Sequence, residues 1–257
     1  MSAADRRRGP LRWWSGVTCR TSAAQAAAMA FVIGTCFLFA LANAVLVTQQ
    51  WKFDDIHAYL GAAQRIAEGG PVYAPTSDPS ELYRYSPWFA VLWIPFIRLP
   101  TLAVEVAWAI MLVGATFLVL FGFRRSWAGL ALALLLGGLL YRTAGWGNVQ
   151  PILVAALVYL LPTRAGPWVV GIAASLKAWP LVAVLVYAWR RQWSAVAISV
   201  GVTVLLSLPA VFTDLSAYPA GSRPPNLYDA TFLLAVPALL QLGQTARGTR
   251  RSRGQGP

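Results

Sequence analysis

Charge is what this sequence lacks. Only 12% of its 257 residues are charged and 58% are hydrophobic, whereas a soluble domain carries about 25% charged residues. A water-soluble globule is thereby excluded, and an integral membrane protein remains. Acids number nine, the only lysines are Lys52 and Lys177, and His57 is the single histidine. Cysteine is equally scarce. Cys19 and Cys36 lie before and within the first apolar run, where no hairpin pairs them, so they imply neither a disulfide framework nor a metal site. No Walker loop, dinucleotide glycine fingerprint, zinc-ligand spacing or serine-nucleophile elbow is present. No fixed-period repeat is present either, which argues against a transporter built by internal duplication.

What is there is apolar length. Residues 26–48 carry no charge and, at about 1.5 Å per residue, reach roughly 34 Å, enough to cross a hydrocarbon core. Arg6, Arg7 and Arg8 before this run, and Ala40-Leu-Ala42 within it, also resemble a secretory signal. The run exceeds a signal's usual core and more runs follow, so an uncleaved anchor is expected. Further apolar runs occupy 88–99, 102–123, 127–140, 149–161, 168–188, 194–212 and 231–242. The expected fold class is all-α, a polytopic helical bundle with seven or eight membrane segments. Runs 88–99 and 149–161 are short for a span, which points to tilted or re-entrant pieces around an enclosed polar site.

The net charge of +12 reads as topology rather than nucleic-acid binding. Arg124-Arg125, Arg164, Arg190-Arg191 and Arg247, Arg250, Arg251 and Arg253 fall at the ends of apolar runs, where the positive-inside bias holds them in the cytoplasm. The expected organisation is a cytoplasmic basic N-terminus at 1–25, a membrane domain at 26–243 with an outer loop at 49–86, and a disordered basic cytoplasmic tail at 244–257. With that loop outside and Arg124 inside, the two segments between them cross only once, so one is re-entrant. Run 168–188 has arginines at both ends and Lys177 and Pro180 at its middle; two half-helices and a single straight span both remain open there. Arginine in place of lysine, with abundant Ala, Gly and Trp, suggests a GC-rich bacterial source and hence a bacterial plasma membrane.

Five of the nine acids fall within 49–86: Asp54, Asp55, Glu68, Asp78 and Glu81. A short interfacial helix is expected there, with Asp54 as its N-cap and Gly69-Gly70 as its stop. Asp55, four residues before Tyr59, either favours the positive helix end or serves as a general base, since a sugar or lipid hydroxyl attacks poorly until a carboxylate takes its proton. His57 either assists that base or merely faces water. Tyr83, Tyr85 and Trp88 read as interfacial anchors. Arg84 either snorkels to lipid headgroups or binds a phosphate bidentately. Lys177, a cation inside an apolar run, is a functional candidate by its cost alone, as a phosphate ligand or an internal counter-ion. Asn148 and Gln150 either bind sugar hydroxyls or satisfy backbone at a helix end.

Taken in order, four motifs resemble the glycosyltransferase 87 (DUF2029) group of polyprenyl-phosphate-mannose-dependent mannosyltransferases of actinobacteria, within the GT-C superfamily. They are D-x-x-x-Y at Asp55 to Tyr59, G-x-x-x-Y at Gly69 to Tyr73, Y-R-Y-x-P at Tyr83 to Pro87, and a loosened A-G-x-x-x-x-A-A-x-x-K-x-x-P from Ala165 to Pro180. The resemblance covers roughly residues 26–212. It implies inverting transfer of a sugar, usually mannose, from a polyprenyl phosphate to a glycolipid or lipoglycan hydroxyl at the outer face, without a metal or other cofactor. Asp55 would be the base, Arg84 and Lys177 the donor-phosphate ligands, and Tyr59, Tyr85, Asn148 and Gln150 substrate contacts. Two departures stand out: Ser86 replaces the first proline of Y-R-Y-P-P, and the family's G-Q-x-N reads Gly147-Asn148-Val149-Gln150, with its amides exchanged. Family members run longer, so the chain is expected to be shortened at its C-terminus. The alternative is a non-catalytic member acting as a membrane subunit, with a partner subunit, or as a lipid-carrier transporter.

Overall fold

The computed structural model describes residues 26–38 apart from 28, 32 and 36, together with 51–74, 82–123, 127–213, 215 and 227–236. Among these residues the chain is helical and contains no strand, as the expected all-α class requires. Segments 1–25 and 244–257, much of the first apolar run, and Asp78 and Glu81 lie outside the described residues.

Helix α1 (Asp54–Ala67) buries Ile56, Tyr59, Ala62 and Ala63 on one face, the three-and-four spacing of an amphipathic helix. It stops where the sequence indicates. The Gly69 N–H donates to Ile66 O and the Gly70 N–H to Arg65 O at 2.7 Å, the bond pair of a Schellman turn. Its start differs from expectation: Phe53, at φ 51°, is the capping position and Asp54 is already helical, with no side-chain cap. The reason is tertiary. The N–H groups of Phe53 and Asp55 donate to Gly145 O and Trp146 O, which ties the helix start to a distant loop at Phe53, and the Ile56 and His57 amides that an Asp54 cap would serve donate to Phe53 O instead.

Proline sets the next boundaries. Helix α2 (Pro87–Val91) has Pro87 in its first turn and passes into a 3-10 turn at Ile94–Phe96. Together they are too short to cross a bilayer. Helix α3 (Thr101–Phe123) follows Pro100, and α4 (Trp127–Gly145) and α5 (Gln150–Leu160) follow in turn. A continuous helix through 145–150 is disfavoured because the Pro151 ring would meet the carbonyl of Gly147. The same rule acts at Pro180, whose ring excludes helical continuation from Leu176. Helix α6 (Gly166–Leu176) therefore ends at an extended Lys177 (φ −144°, ψ 134°), and a 3-10 turn at Trp179–Leu181 leads into α7 (Val182–Trp189). Run 168–188 is thus two helices rather than one straight rod.

Helix α8 (Trp193–Ser207) continues as a 3-10 turn at Leu208–Phe212, and a further 3-10 segment occupies Leu227–Ala235. Helix α3 packs against α4 and α5, α6 against α8, and the 227–235 segment lies over α4 and α5. Phe232 touches all three hydrophobic clusters of the core. At the α6–α8 contact, Ser199 Oγ donates to Pro167 O (3.0 Å) and Thr203 Oγ1 to Gly171 O (3.2 Å). A Cβ on Gly171 would lie 2.6 Å from Val202 Cβ and 2.8 Å from Ser199 O. Gly171→Val is expected to cost at least about 1–3 kcal/mol through overpacking, seen as a smaller monodisperse fraction in detergent.

Among the described residues two helices are long and apolar enough to cross a membrane, Thr101–Phe123 and Trp193–Phe212, each with mean hydropathy 2.3. Only 11% of the second is buried by the rest of the chain, leaving Val204, Leu205, Val211 and Phe212 facing outward. Lipid, not water, suits so apolar a face. The other apolar helices among the described residues are 10–17 residues long, so two spans are clear there and the remaining helices are shorter.

Candidate active site

The loop that interrupts α4 and α5 fixes the start of α1. Gly147 turns the chain at φ 75°, its carbonyl accepts from Trp108 Nε1 at 2.7 Å, and its Cα faces Ile56, so that an added Cβ would sit 3.2 Å from Ile56 N. Only glycine suits both the left-handed conformation and the close approach. Gly147→Ala is expected to cost about 1–2 kcal/mol from backbone strain, measurable as a lowered melting midpoint. The consequence of this turn is placement of Asn148.

Asn148 joins three elements. Its Nδ2 donates to Asp55 Oδ2 at 2.5 Å and to the Tyr85 hydroxyl at 2.9 Å, while its Oδ1 accepts from the Gln150 N–H at 3.0 Å. These partners agree on one amide orientation, because a carboxylate accepts and a backbone N–H donates. Among the described residues Asn148 is the side chain that hydrogen-bonds Asp55. Burial pushes the Asp55 carboxyl above its ordinary value, with Lys177 first among the influences that pull it down, followed by the Asn148 bond and Arg84. Such a carboxylate is a better proton acceptor than a solvated one.

Tyr83 and Tyr85 are not the interfacial anchors their sequence context suggests; both are buried. Tyr59 lies edge-on to both, with ring centroids 6.4 Å and 5.2 Å away, and to Phe89 at 5.0 Å. The Tyr83 hydroxyl donates to Ser86 O at 2.7 Å, and the Tyr73 hydroxyl to Tyr85 O at 3.0 Å. Aromatic edge-to-face packing against a larger core outweighs the gain from an interfacial position. Burial raises the Tyr59 and Tyr85 phenols well above their usual range, so at neutral pH they keep their protons and act as hydrogen-bonding groups. The Tyr59 hydroxyl also accepts from the Val149 N–H at 3.4 Å.

Arg84 and Lys177, 93 positions apart in the chain, line one cleft of about 310 Å³ with Tyr73, Tyr85, Ser175 and Ser207. Lys177 Nζ donates to Gln150 Oε1 at 2.8 Å, and Gln150 Nε2 donates to Thr231 Oγ1. Gln150 is only 1% exposed. Of the seven residues singled out from sequence, Asp55, Asn148 and Tyr85 meet directly, Arg84 and Lys177 face the adjoining cleft, and Tyr59 and Gln150 support them from the buried side.

His57 does not simply face water: its Nε2 lies 2.7 Å from Glu105 Oε1 on α3. Glu105 went unnoticed in the sequence although it is the lone acid in run 102–123, the very signal that singled out Lys177. Thr231 and Trp108 carried no comparable mark. Among the described residues no three His, Cys, Asp or Glu side chains converge.

Residues 83–220, more than half the chain, match Glycosyltransferase family 87. The chain belongs to that family. The matched region includes Arg84, Tyr85, Asn148, Gln150 and Lys177, whereas Asp55 and Tyr59 precede it and Thr231 follows it. A curated relative of this family 87 chain is the polyprenol-phosphate-mannose-dependent alpha-(1-2)-phosphatidylinositol pentamannoside mannosyltransferase of Mycolicibacterium smegmatis. It is 31% identical over 180 residues, which cover 63% of this chain and 44% of the relative. The family 87 chain thus spans less than half the length of that protein. No solved structure matches it significantly.

Proposed function

We propose that this family 87 glycosyltransferase is a mannosyltransferase that moves a sugar from a polyprenyl-phosphate donor to a glycolipid or lipoglycan hydroxyl. The reading rests on one arrangement: a carboxylate held by Asn148 beside a cleft that two cations share. Asp55 accepts the proton of the acceptor hydroxyl as its oxygen bonds to the anomeric carbon. The bond from that carbon to the phosphate oxygen breaks, and the polyprenyl phosphate departs with the electron pair. Arg84 and Lys177 stabilise the charge that develops on the leaving phosphate. A single displacement inverts the anomeric configuration. Asn148 and Tyr85 border the space where the sugar would lie.

In this reading segment 26–243 is a multi-pass membrane domain of a bacterial plasma membrane, with 49–86 at the outer face and both termini in the cytoplasm. The donor assignment draws support from the relative, whose name specifies dependence on polyprenol-phosphate-mannose. The test uses membranes from cells expressing the chain, supplied with polyprenyl-phosphate [¹⁴C]mannose and a membrane lipid extract as acceptor. Label should pass to the lipid without any nucleotide sugar, giving a product of configuration opposite to the donor's. Absence of transfer, or transfer that requires a nucleoside-diphosphate sugar, would overturn the reading.

A further inference from the structure

Sequence context makes Gln150 a sugar ligand, yet its surroundings give it a different task. The residue is 1% exposed, and both ends of its amide are engaged, Oε1 by Lys177 Nζ at 2.8 Å and Nε2 by Thr231 Oγ1. An ammonium only donates, so Oε1 must face Lys177 and the NH2 must face the threonine. At that burial Gln150 has no free surface to offer a sugar. Its backbone is fixed as well, since it opens α5 just before Pro151 and its N–H donates to Asn148 Oδ1.

Lys177 sits beyond the last turn of α6 in extended backbone, on a long stem whose rotamer freedom a hydrogen bond to its ammonium restricts. From that position it lines the Arg84 cleft. The brace comes from afar: Thr231 is fully buried in the 227–235 segment, which lies outside the family match at 83–220. Phe232 beside it packs into all three clusters of the core, so the threonine is set by tertiary packing rather than by its own loop.

We propose that Gln150, braced by Thr231, is the positioning residue that holds the Lys177 ammonium at the Arg84 cleft, making the 227–235 segment part of the phosphate site. The inference rests on the donor reading above, because it takes the cleft to receive a polyprenyl phosphate. It differs from a packing role in one respect: Gln150 acts only through Lys177, so its loss has no further effect once the lysine is gone.

The test measures polyprenyl monophosphate affinity of the purified full chain in detergent, by tryptophan fluorescence, for wild type, Gln150→Met, Lys177→Met and the double variant. Each single change is expected to weaken binding about tenfold, the scale of one charged hydrogen bond, and the double variant to bind no more weakly than Lys177→Met. Thr231→Val keeps the shape and removes the hydroxyl; it reaches the same amide from the far side should Gln150→Met fold poorly. A loss of about threefold is expected on the scale of a neutral hydrogen bond, vanishing in the Lys177→Met background. Additive losses, wild-type affinity in both Gln150→Met and Thr231→Val, or no binding by wild type would each overturn the proposal. Mannose transfer in the corresponding membranes reports separately on the reaction. No transfer with the expected binding cycle sinks the enzymatic reading alone, and transfer with additive binding losses sinks the positioning role alone.

Discussion

Asp55→Asn is expected to lower mannose transfer by about 10²–10⁴-fold, the contribution of a positioned general base, while the protein still purifies as a folded species. The amide keeps the shape of the carboxylate and can turn its oxygen toward Asn148 Nδ2, so the contact that joins α1 to the 145–149 loop survives. Electrostatics favour the variant's folding. The Asp55 carboxyl is raised above its usual value by burial, so its stabilising contribution is complete below the unfolded value of about 3.9 and is lost as pH rises through the folded one. At neutral pH the aspartate is therefore a net burden on the fold, which asparagine removes. Transfer assays paired with thermal melts check both halves; undiminished transfer would remove Asp55 from the reaction.

Lys177→Met is expected to lower kcat/KM for the donor by about 10–100-fold, the range for a hydrogen bond to a charged group, and to change the pH profile as well. Lys177 is the foremost influence that pulls the Asp55 carboxyl down against burial. Without it the carboxyl rises further, the ionised fraction falls at any pH below the new value, and the acid limb of the rate profile moves to higher pH. A lysine that touched only phosphate would change donor affinity and leave that limb in place. A pH-rate series on both proteins separates the two cases.

The elements were legible in the sequence wherever local chemistry decides them. Gly69-Gly70 ended α1, Pro180 broke run 168–188 beside Lys177, and the 102–123 run became the helix Thr101–Phe123. Four ordered motifs were enough to indicate the family that the comparison bears out. What escaped the sequence depends on partners distant along the chain. Asp54 read as a cap because nothing local shows that Gly145 O and Trp146 O take the Phe53 and Asp55 amides and so start the helix one residue earlier, at Phe53. Tyr83 and Tyr85 read as anchors because an interfacial tyrosine and a core tyrosine have the same neighbours in sequence. The bonds from Asn148 to Asp55 and from Gln150 to Thr231 span 93 and 81 positions, far beyond any helical or strand period. Glu105 is the exception: a lone acid in a long apolar run is visible in sequence, and only its partner His57 needed coordinates.

Asn148 takes one acceptor position of the Asp55 carboxylate and thereby ties its orientation to the 145–149 loop rather than to α1 alone. With Asp55 as the base of the proposed reaction, the positions left open on that carboxylate would set the sector from which an acceptor hydroxyl can surrender its proton. Choice among the hydroxyls of one sugar ring would then follow from the acceptor's attitude toward a fixed carboxylate rather than from how many hydroxyls are gripped.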